Sequence, residues 1–560
     1  MSRWISLSLS GLYRCWSAWA SSRRSTFGYW LSILAVFLFV LSRSLVDSWD
    51  FPWYGNPDQD LVFLRDGFRL LNGGVPGYGD HPGLIQMLIA AFAIFLLKLL
   101  PGLAGDSWID GSAISDADWQ YIFAMAKAVN VFFMAVVLSL CVVLAMRWLG
   151  RGWGLLWGLM SAASMGSVSE IYQLRNEFYS SFLVILGVLV AAWASAPGLG
   201  RGSGKLHVAA QPALRALLCS LVSYVLLCLG LLAKVQVLPV LFATLLALFV
   251  IIWRYHGFLG ARVFVVALGM VVGAVLIGAA GYFHGLGISI SQSFGVLFLL
   301  ASPSAFVLSC VWLQSAKAFP VRFRGLWLVL IGSGFAGLTS LLLRLFGFKE
   351  WLLLLSRPLS VRSYAVAANQ CLDGQLVCAL RDGLSGYRYL FERSIDSYAL
   401  APIVGVSVVI GGGVVVVELL RRAGLRVSWR HDEGWVGLFC GVVCLAVACV
   451  MAFLAGQRWA VDHYLSYQQP FLFAALILFA SGKAPAVRVW RPLLALTLVS
   501  VLLIFLRYPE GSRRTYVKEN IDVAPVAGRG DGSLCAPQHA GTEWKGSSLW
   551  RLCDGFEASF

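Results

Sequence analysis

Long apolar runs alternate with short polar segments along almost the whole chain. Each run is near the ~20 residues that an α-helix needs to cross a bilayer. The runs are continuous, whereas a transmembrane β-barrel alternates polar and apolar residues, so the pattern predicts an all-α polytopic membrane protein. About thirteen spans are predicted, at 29–46, 119–146, 153–170, 178–196, 214–233, 236–253, 263–283, 294–313, 325–346, 398–419, 434–456, 468–482 and 491–506.

The composition supports this class. Of the 560 residues, 59% are hydrophobic and 13% are charged, with a mean hydropathy of +0.78, whereas soluble proteins average about 25% charged residues. The net charge is +15. The basic residues lie in short connections between apolar runs, so they indicate membrane topology, and no nucleic-acid partner is expected.

Every second connection between predicted spans is basic, which the positive-inside rule assigns to the cytoplasm. The basic residues that precede the first span, from Arg3 to Arg24, place the N-terminus there too, with a retained span rather than a cleaved signal peptide. The basic connections carry Arg147 and Arg151; Arg201, Lys205 and Arg215; Arg254 and Arg262; Lys317, Arg322 and Arg324; Arg421, Arg422, Arg426 and Arg430; and Lys483, Arg488 and Arg491.

The apolar segment 84–100 breaks this alternation if it crosses the membrane, because every later connection would then change side. We therefore expect it at the outer membrane surface or re-entrant, with a full span as the alternative. Residues 47–118 then form one outside loop whose ten Asp and three cations give a net charge of −7. The odd number of spans places the C-terminus outside.

This topology divides the chain into a transmembrane domain, 1–506, and a small outside tail, 507–560, which is polar and rich in Gly, Ser and Pro. A second large outside loop covers 347–397. Two cysteine pairs fall in outside segments and suit local disulfides, Cys371–Cys378 and Cys535–Cys553. Most other cysteines fall in predicted spans, where we expect small packing residues.

The densest polar segment is 47–83, an acidic, aromatic and glycine-rich loop after the first span. Carboxylates beside a bilayer are costly unless they bind a cation or polar ligand, or take part in proton chemistry. Asp58-Gln59-Asp60 opens a run with apolar residues at helical spacing, from Leu61 to Leu71, and Asn72-Gly73-Gly74 closes it, which predicts a short helix. Asp80-His81-Pro82-Gly83 precedes the next apolar segment. A merely solvated acidic loop is the alternative.

Three further polar groups are predicted at the outer ends of spans. They are the segment from Ser169 to Glu177, Lys234-Val235-Gln236, and the segment from Gln457 to Pro470, which includes Arg458, His463 and Tyr464. Carboxylates, Arg, Lys and His at a lipid boundary suit a ligand with a sugar, a phosphate and a long apolar tail. Taken singly, Lys234 could extend to the interface, Arg175 and Glu177 could only pair with each other, and the aromatic residues could form an interfacial belt.

These motifs resemble the GT-C superfamily of integral-membrane glycosyltransferases, in particular the protein O-mannosyltransferase and lipid A aminoarabinose transferase type. Asp58-Gln59-Asp60 stands where that family has an Asp-Glu pair, and Asp80-His81-Pro82-Gly83 where it has an acidic residue, Lys, Pro and Pro. Arg175-Asn176-Glu177 resembles the family's Arg-plus-acid motif, and His463-Tyr464 with Pro470 resembles a late His/Arg-Tyr…Pro segment. The motifs cover mainly 45–185 and 455–475.

The resemblance implies an inverting transfer of a sugar from a polyprenyl-phosphate donor to an acceptor hydroxyl of a lipid, glycan or protein, on the outer face of the cytoplasmic membrane. Asp58 would be the catalytic base, with Asp60 and Glu177 as further catalytic residues. Arg175, Lys234 and Arg458 would stabilise the phosphate, and Asp80, His81, His463 and Tyr464 would bind substrate. The resemblance fixes no cofactor, and Asp58 and Asp60 could hold a divalent cation, Mg²⁺ or Mn²⁺.

Two departures from the family and two rival functions stay open. The acidic pair is Asp-x-Asp rather than Asp-Glu, which leaves metal use undecided, and His81 replaces a lysine, which leaves its charge undecided. A lipid-linked oligosaccharide polymerase or ligase would share the many spans. A non-enzymatic flippase or transporter would place charges near the midplane, whereas most charges here lie at the ends of spans.

Overall fold

The computed structural model of the chain is helical wherever it describes the residues, and the described residues contain no β-strand. Continuous description covers 60–74, 83–99, 116–195 except 173, 212–234, 303–311, 384–390, 433–456 and 462–481, with scattered helical positions within 30–41, 237–245 and 262–273.

The helices follow one another with short connections where the chain is continuously described. They are α1 (Asp60–Leu71), α2 (Leu84–Leu99), α3 (Asp116–Leu149), α4 (Arg151–Ala162), α5 (Met165–Tyr172), α6 (Glu177–Ser195), α7 (Pro212–Ala233), α8 (Glu433–Gly456), a 3-10 helix (Asp462–Tyr467) and α9 (Gln469–Ser481).

Five predicted spans are found as helices to within about three residues of their predicted bounds, the accuracy to be expected of boundaries predicted from sequence. They are 119–146, 178–196, 214–233, 434–456 and 468–482, now α3, α6, α7, α8 and α9. The predicted span 153–170 differs, because the structure divides it at Ala163 and Ser164 into α4 and α5. The spans at 325–346, 398–419 and 491–506 lie outside the described residues.

Among the described helices, one stretch, Tyr121–Leu149 within α3, is long and apolar enough to cross a membrane. Several shorter helices are equally apolar, among them α2, whose outward stripe exposes large side chains at helical spacing: Leu88 (47%), Phe92 (42%), Phe95 (43%) and Leu99 (59%). An apolar stripe of this kind is costly in water, and it is typical of a helix face that meets lipid or a partner.

The short helix predicted in the first outside loop is confirmed as α1. It ends where Gly73 adopts a left-handed backbone conformation, φ 75°, and the amide of Gly74 donates to the carbonyl of Arg69 at 2.7 Å. This is a common helix C-terminus, and glycine adopts it without a steric penalty. The α1 helix packs on α2 at Gly67, where an added Cβ would lie 2.9 Å from the Cβ of Ala90.

Small residues also set the contact between α6 and α7, which run antiparallel. The position of a Cβ on Gly187 is 3.0 Å from Cγ of Leu227, and that of a Cβ on Gly230 is 2.7 Å from Cγ2 of Val184. The hydroxyl of Ser223 donates to the carbonyl of Gly187 at 2.8 Å. Close approach through small residues and interhelical hydrogen bonds is how membrane helices associate. It brings the first turn of α6 beside the last turn of α7.

The cysteine predictions divide between described and undescribed residues. Cys371, Cys378, Cys535 and Cys553 lie outside the described residues, so both disulfides stay predictions. Seven cysteines of the described part are thiols that form no disulfide: Cys141, Cys219, Cys228, Cys310, Cys440, Cys444 and Cys449. Cys141 is buried on α3, and its Sγ lies 3.5 Å from the carbonyl oxygen of Phe182 on α6. It therefore packs between two helices, as predicted for the cysteines of the spans.

Candidate functional site

Polar side chains are buried together around the connection between α5 and α6. This connection, Glu170 to Glu177, contributes four polar residues that are at most 8% exposed: Glu170, Arg175, Asn176 and Glu177. Polar groups also reach it from α2, α3, α7 and the 3-10 helix. We call this set the junction cluster: Gln86, Asn130, Glu170, Arg175, Asn176, Glu177, Tyr179, Lys234, Tyr464 and Tyr467.

An ion pair lies at the centre of the junction cluster. Lys234 directly follows α7, and its Nζ donates to Oε1 of Glu177, the first residue of α6. The two side chains are 4% and 0% exposed. The same Nζ lies 5.7 Å from the ring centroid of Tyr464, within range of a cation–π interaction. A desolvated pair of this kind fixes the geometry of both partners, because separation would leave a buried charge uncompensated.

A hydrogen-bond network holds the backbone of the connection. Gln86 Nε2 donates to Asn130 Oδ1 at 2.9 Å and also to the carbonyl of Arg175. Asn130 Nδ2 donates to the carbonyl of Glu170 at 3.4 Å, and the Tyr179 hydroxyl donates to Asn130, 2.7 Å from its carbonyl oxygen and 2.9 Å from Oδ1. The two ends of the 170–175 segment are therefore attached to α2, α3 and α6.

Glu170 is the least compensated group of the junction cluster. It is 0% exposed, and neither carboxyl oxygen accepts a hydrogen bond of normal geometry, although the backbone amide of Phe178 lies close to the carboxyl group. It lies on α5, which at eight residues is too short to span a bilayer. Burial raises the pKa of Glu170 well above its usual range, and the nearby Glu177 raises it further. Arg175, Lys234 and the Phe178 amide act in the opposite direction, but desolvation is the largest effect.

The 3-10 helix and the start of α9 close the junction cluster from the C-terminal part of the chain. The amide of Gly166 on α5 donates to Oε1 of Gln469 at 3.1 Å, and the Trp157 indole donates to the carbonyl of Pro470 at 3.0 Å. Tyr467 is 3% exposed, and burial, with a further contribution from Glu177, raises the pKa of its phenol well above the usual range. Tyr467 therefore keeps its proton at neutral pH.

The start of α2 also reaches the junction cluster. Gly83 accepts the first helical hydrogen bond of α2, from the amide of Met87 at 2.9 Å. A Cβ at Gly83 would collide with the Phe63 ring and lie 2.7 Å from Nδ2 of Asn176. Only glycine fits here, because α1 and the α5–α6 connection approach its Cα from two sides. The last residue of the predicted segment Asp80-His81-Pro82-Gly83 is thus adjacent to the second predicted polar group.

The structure brings together four of the site residues predicted from the sequence: Arg175, Glu177, Lys234 and Tyr464. Asp60 begins α1 and His463 lies in the 3-10 helix, but only their backbone belongs to the described part. Asp58, Asp80, His81 and Arg458 lie outside the described residues, so their predicted roles stay predictions. Asp66, one of the acidic residues of the first loop, is fully buried on α1, with Oδ1 3.7 Å from Nη1 of Arg69.

Metal binding was predicted at Asp58 and Asp60, whose side chains are not among those described. Within the part of the chain that the structure describes, no three His, Cys, Asp or Glu side chains lie close enough together to hold a metal ion. The described junction cluster instead combines two carboxyl groups with two cations. That set of groups suits a ligand that carries both hydroxyl and anionic groups.

Sequence reasoning missed the residues that support the connection, namely Gln86, Asn130 and Tyr179. For two of these residues, the sequence does contain an indication. Gln86 interrupts the apolar run 84–100, and Asn130 lies within the predicted span 119–146. Polar residues inside apolar helices are costly and usually face a protein interior with a partner. The sequence does not tell which partner, because the contacts join residues 44 and 89 positions apart.

Comparison with protein-family models, with curated proteins and with solved structures finds no match to this chain.

Proposed function

We propose that this chain is a polytopic membrane glycosyltransferase with about thirteen spans and a GT-C-type fold. It would transfer a sugar from a polyprenyl-phosphate donor to an acceptor hydroxyl on the outer face of the cytoplasmic membrane. The single observation that best supports the proposal is the convergence of Arg175, Glu177, Lys234 and Tyr464. These residues come from three polar groups that are far apart in sequence, and the proposed reaction needs cations and carboxylates in one place.

The proposed chemistry is a direct displacement at the anomeric carbon. Asp58 takes the proton of the acceptor hydroxyl as its oxygen attacks, the bond from the anomeric carbon to the phosphate oxygen breaks, and the polyprenyl phosphate leaves with the electron pair. The negative charge that develops on the leaving phosphate favours nearby cations, for which Arg175, Lys234 and Arg458 are proposed. A phosphate leaves readily as an anion, so a single base suffices.

Because Glu177 is buried in an ion pair with Lys234, we assign different roles to the carboxylates of Glu177 and Asp58. Oε1 of Glu177 already accepts a hydrogen bond from Lys234, so Glu177 is poorly placed to accept a proton from an arriving acceptor. We assign it a positioning role, in which it orients Lys234, and we leave proton transfer to Asp58. Asp60 and Asp80 would orient hydroxyl groups of the sugar and the acceptor, and His81, His463 and Tyr464 would line the donor site.

Reconstituted liposomes provide the test. The purified protein is mixed with polyprenyl-phosphate hexoses and pentoses and with membrane-lipid acceptors, and transfer is followed by mass spectrometry. Asp58→Asn keeps size and polarity but removes the base, so turnover should fall about 10²–10⁴-fold with donor binding little changed. Asn72→Asp, at the end of α1, is a control in which the same two side chains are exchanged in the opposite direction. No transfer from any donor by the folded wild type would refute the function, and normal turnover of folded Asp58→Asn would refute the base.

A further inference from the structure

Several buried acceptor atoms in and beside the junction cluster lack a hydrogen bond of normal geometry. They are both carboxyl oxygens of Glu170, the amide oxygens of Gln86 and Asn176, and the amide oxygen of the neighbouring Gln468. Each of these residues is at most 1% exposed. Natural proteins contain few buried polar atoms without partners, because each costs roughly 1–3 kcal/mol. Several at one place therefore indicate a group that the structure does not contain.

Three of these residues are mutually close. Gln86 and Asn130 together bind the carbonyls of Glu170 and Arg175, and Asn176 follows Arg175. The Glu170 carboxyl lies near the first turn of α6, since the Phe178 amide influences it, and Asn176 immediately precedes that turn. Asn176 occupies the position where an Asn side chain usually caps the helix, yet its Oδ1 accepts no hydrogen bond. Its oxygen is thus unused by the helix.

The missing group has to donate hydrogen bonds. A phosphate diester has acceptor oxygens only, so it would not satisfy the amide oxygens of Gln86 and Asn176, which need donors. A sugar has several hydroxyl groups, each of which both donates and accepts, and it bears no charge to desolvate. The adjacent cations, Arg175 and Lys234, are suited to the phosphate at the other end of the same donor.

We infer that Glu170 and Asn176, positioned by Gln86 and Asn130, form the subsite for the sugar hydroxyls of the donor. This inference rests on the proposed function and deepens it, because it separates the sugar-binding residues from the phosphate-binding residues of the same site. Glu170 binds hydroxyl groups in either protonation state, since the neutral acid keeps one acceptor oxygen and adds one donor.

The test compares two ligands that differ only in the sugar, a polyprenyl-phosphate hexose or pentose and the bare polyprenyl phosphate. Glu170→Ala should weaken binding of the sugar-bearing ligand about tenfold to a hundredfold and leave binding of the bare phosphate within about twofold. Glu170→Gln keeps one acceptor oxygen and the side-chain shape, so it should recover most of the lost affinity. Ser139→Ala removes another buried hydroxyl that lacks a hydrogen-bond partner, on α3, and should bind both ligands as the wild type does.

Monodeoxy donors give an independent measurement. The donor that lacks the hydroxyl bound by Glu170 should bind wild type and Glu170→Ala equally, whereas every other deoxy donor should distinguish them. If Glu170→Ala does not fold, Asn176→Ala carries the same comparison. Equal loss for both ligands, or no loss for either, overturns the sugar subsite. Failure of the wild type to bind any sugar-bearing donor refutes the proposed function instead, so the two failures are distinguishable.

Discussion

Lys234 and Glu177, 57 positions apart in sequence, form an ion pair whose side chains are 4% and 0% exposed. The pair joins the last turn of α7 to the first turn of α6, which places two ends of antiparallel helices at one level. In the proposed reaction it also holds one of the cations that face the leaving phosphate. Loss of this ion pair should therefore lower the stability of the protein first and its turnover second.

Lys234→Met should destabilise the protein by about 3–5 kcal/mol, because Glu177 would remain buried without its counter-charge. The double variant Lys234→Met with Glu177→Leu should be more stable than the single variant, since no charge is left uncompensated. Thermal unfolding in detergent measures both. Lys98→Met, at a half-buried lysine in the last turn of α2, is the control and should change little. A double variant that melts below the single variant would contradict a direct pairing.

Gly166→Ala should lower the melting temperature, because α5 meets the 3-10 helix at this Cα. An added Cβ would collide with the Ser466 amide and lie 2.6 Å from the carbonyl carbon of Leu465, and such overpacking costs about 1–3 kcal/mol. Gly269→Ala is the matched control, since nothing lies within 4 Å of its Cβ position and it is helical. It should be neutral or stabilising by about 0.5–1 kcal/mol. Equal melting temperatures for the two variants would contradict the close approach.

Tyr179→Phe should cost about 0.5–1.5 kcal/mol, because the hydroxyl bonds to both oxygens of Asn130 in a buried site. Gln86→Leu removes the other side-chain partner of the same Asn130. Because the two variants share a partner, their effects should be non-additive by about 0.5–3 kcal/mol in a double-mutant cycle. Tyr121→Phe, at a residue 51% exposed on α3, is the control. Strict additivity in the cycle would show that Asn130 does not connect the two residues.

The predicted membrane topology specifies the side of the membrane from which an introduced cysteine reacts with a thiol reagent. A cysteine introduced at position 112 and another at the C-terminus, each in a background without other accessible cysteines, should both react with an impermeant reagent added outside. The reason is the unbroken alternation of basic connections, which holds only if 84–100 does not cross the bilayer. The same cysteine placed in the basic segment 201–205 should react only after permeabilisation. Labelling of position 112 from the cytoplasmic side alone would make α2 a full span.

The sequence by itself determined the helical class and the bounds of several helices. Continuous apolar runs leave the backbone no other way to satisfy its hydrogen bonds in an apolar environment, so 119–146, 178–196, 214–233 and 434–456 are found as helices. Helix α1 was equally predictable, because its apolar spacing and its closing glycines are local signals that do not depend on the rest of the fold.

Only the tertiary structure decided which polar residues meet. The pairing of Glu177 with Lys234, the attachment of Glu170 and Arg175 to Gln86 and Asn130, and the division of 153–170 into α4 and α5 all depend on contacts between distant segments. A sequence shows that a polar residue in an apolar run needs a partner, since an unpaired one is costly there. It does not show which partner, because that choice is made by helix packing, and helix packing is set here by small residues such as Gly187 and Gly230.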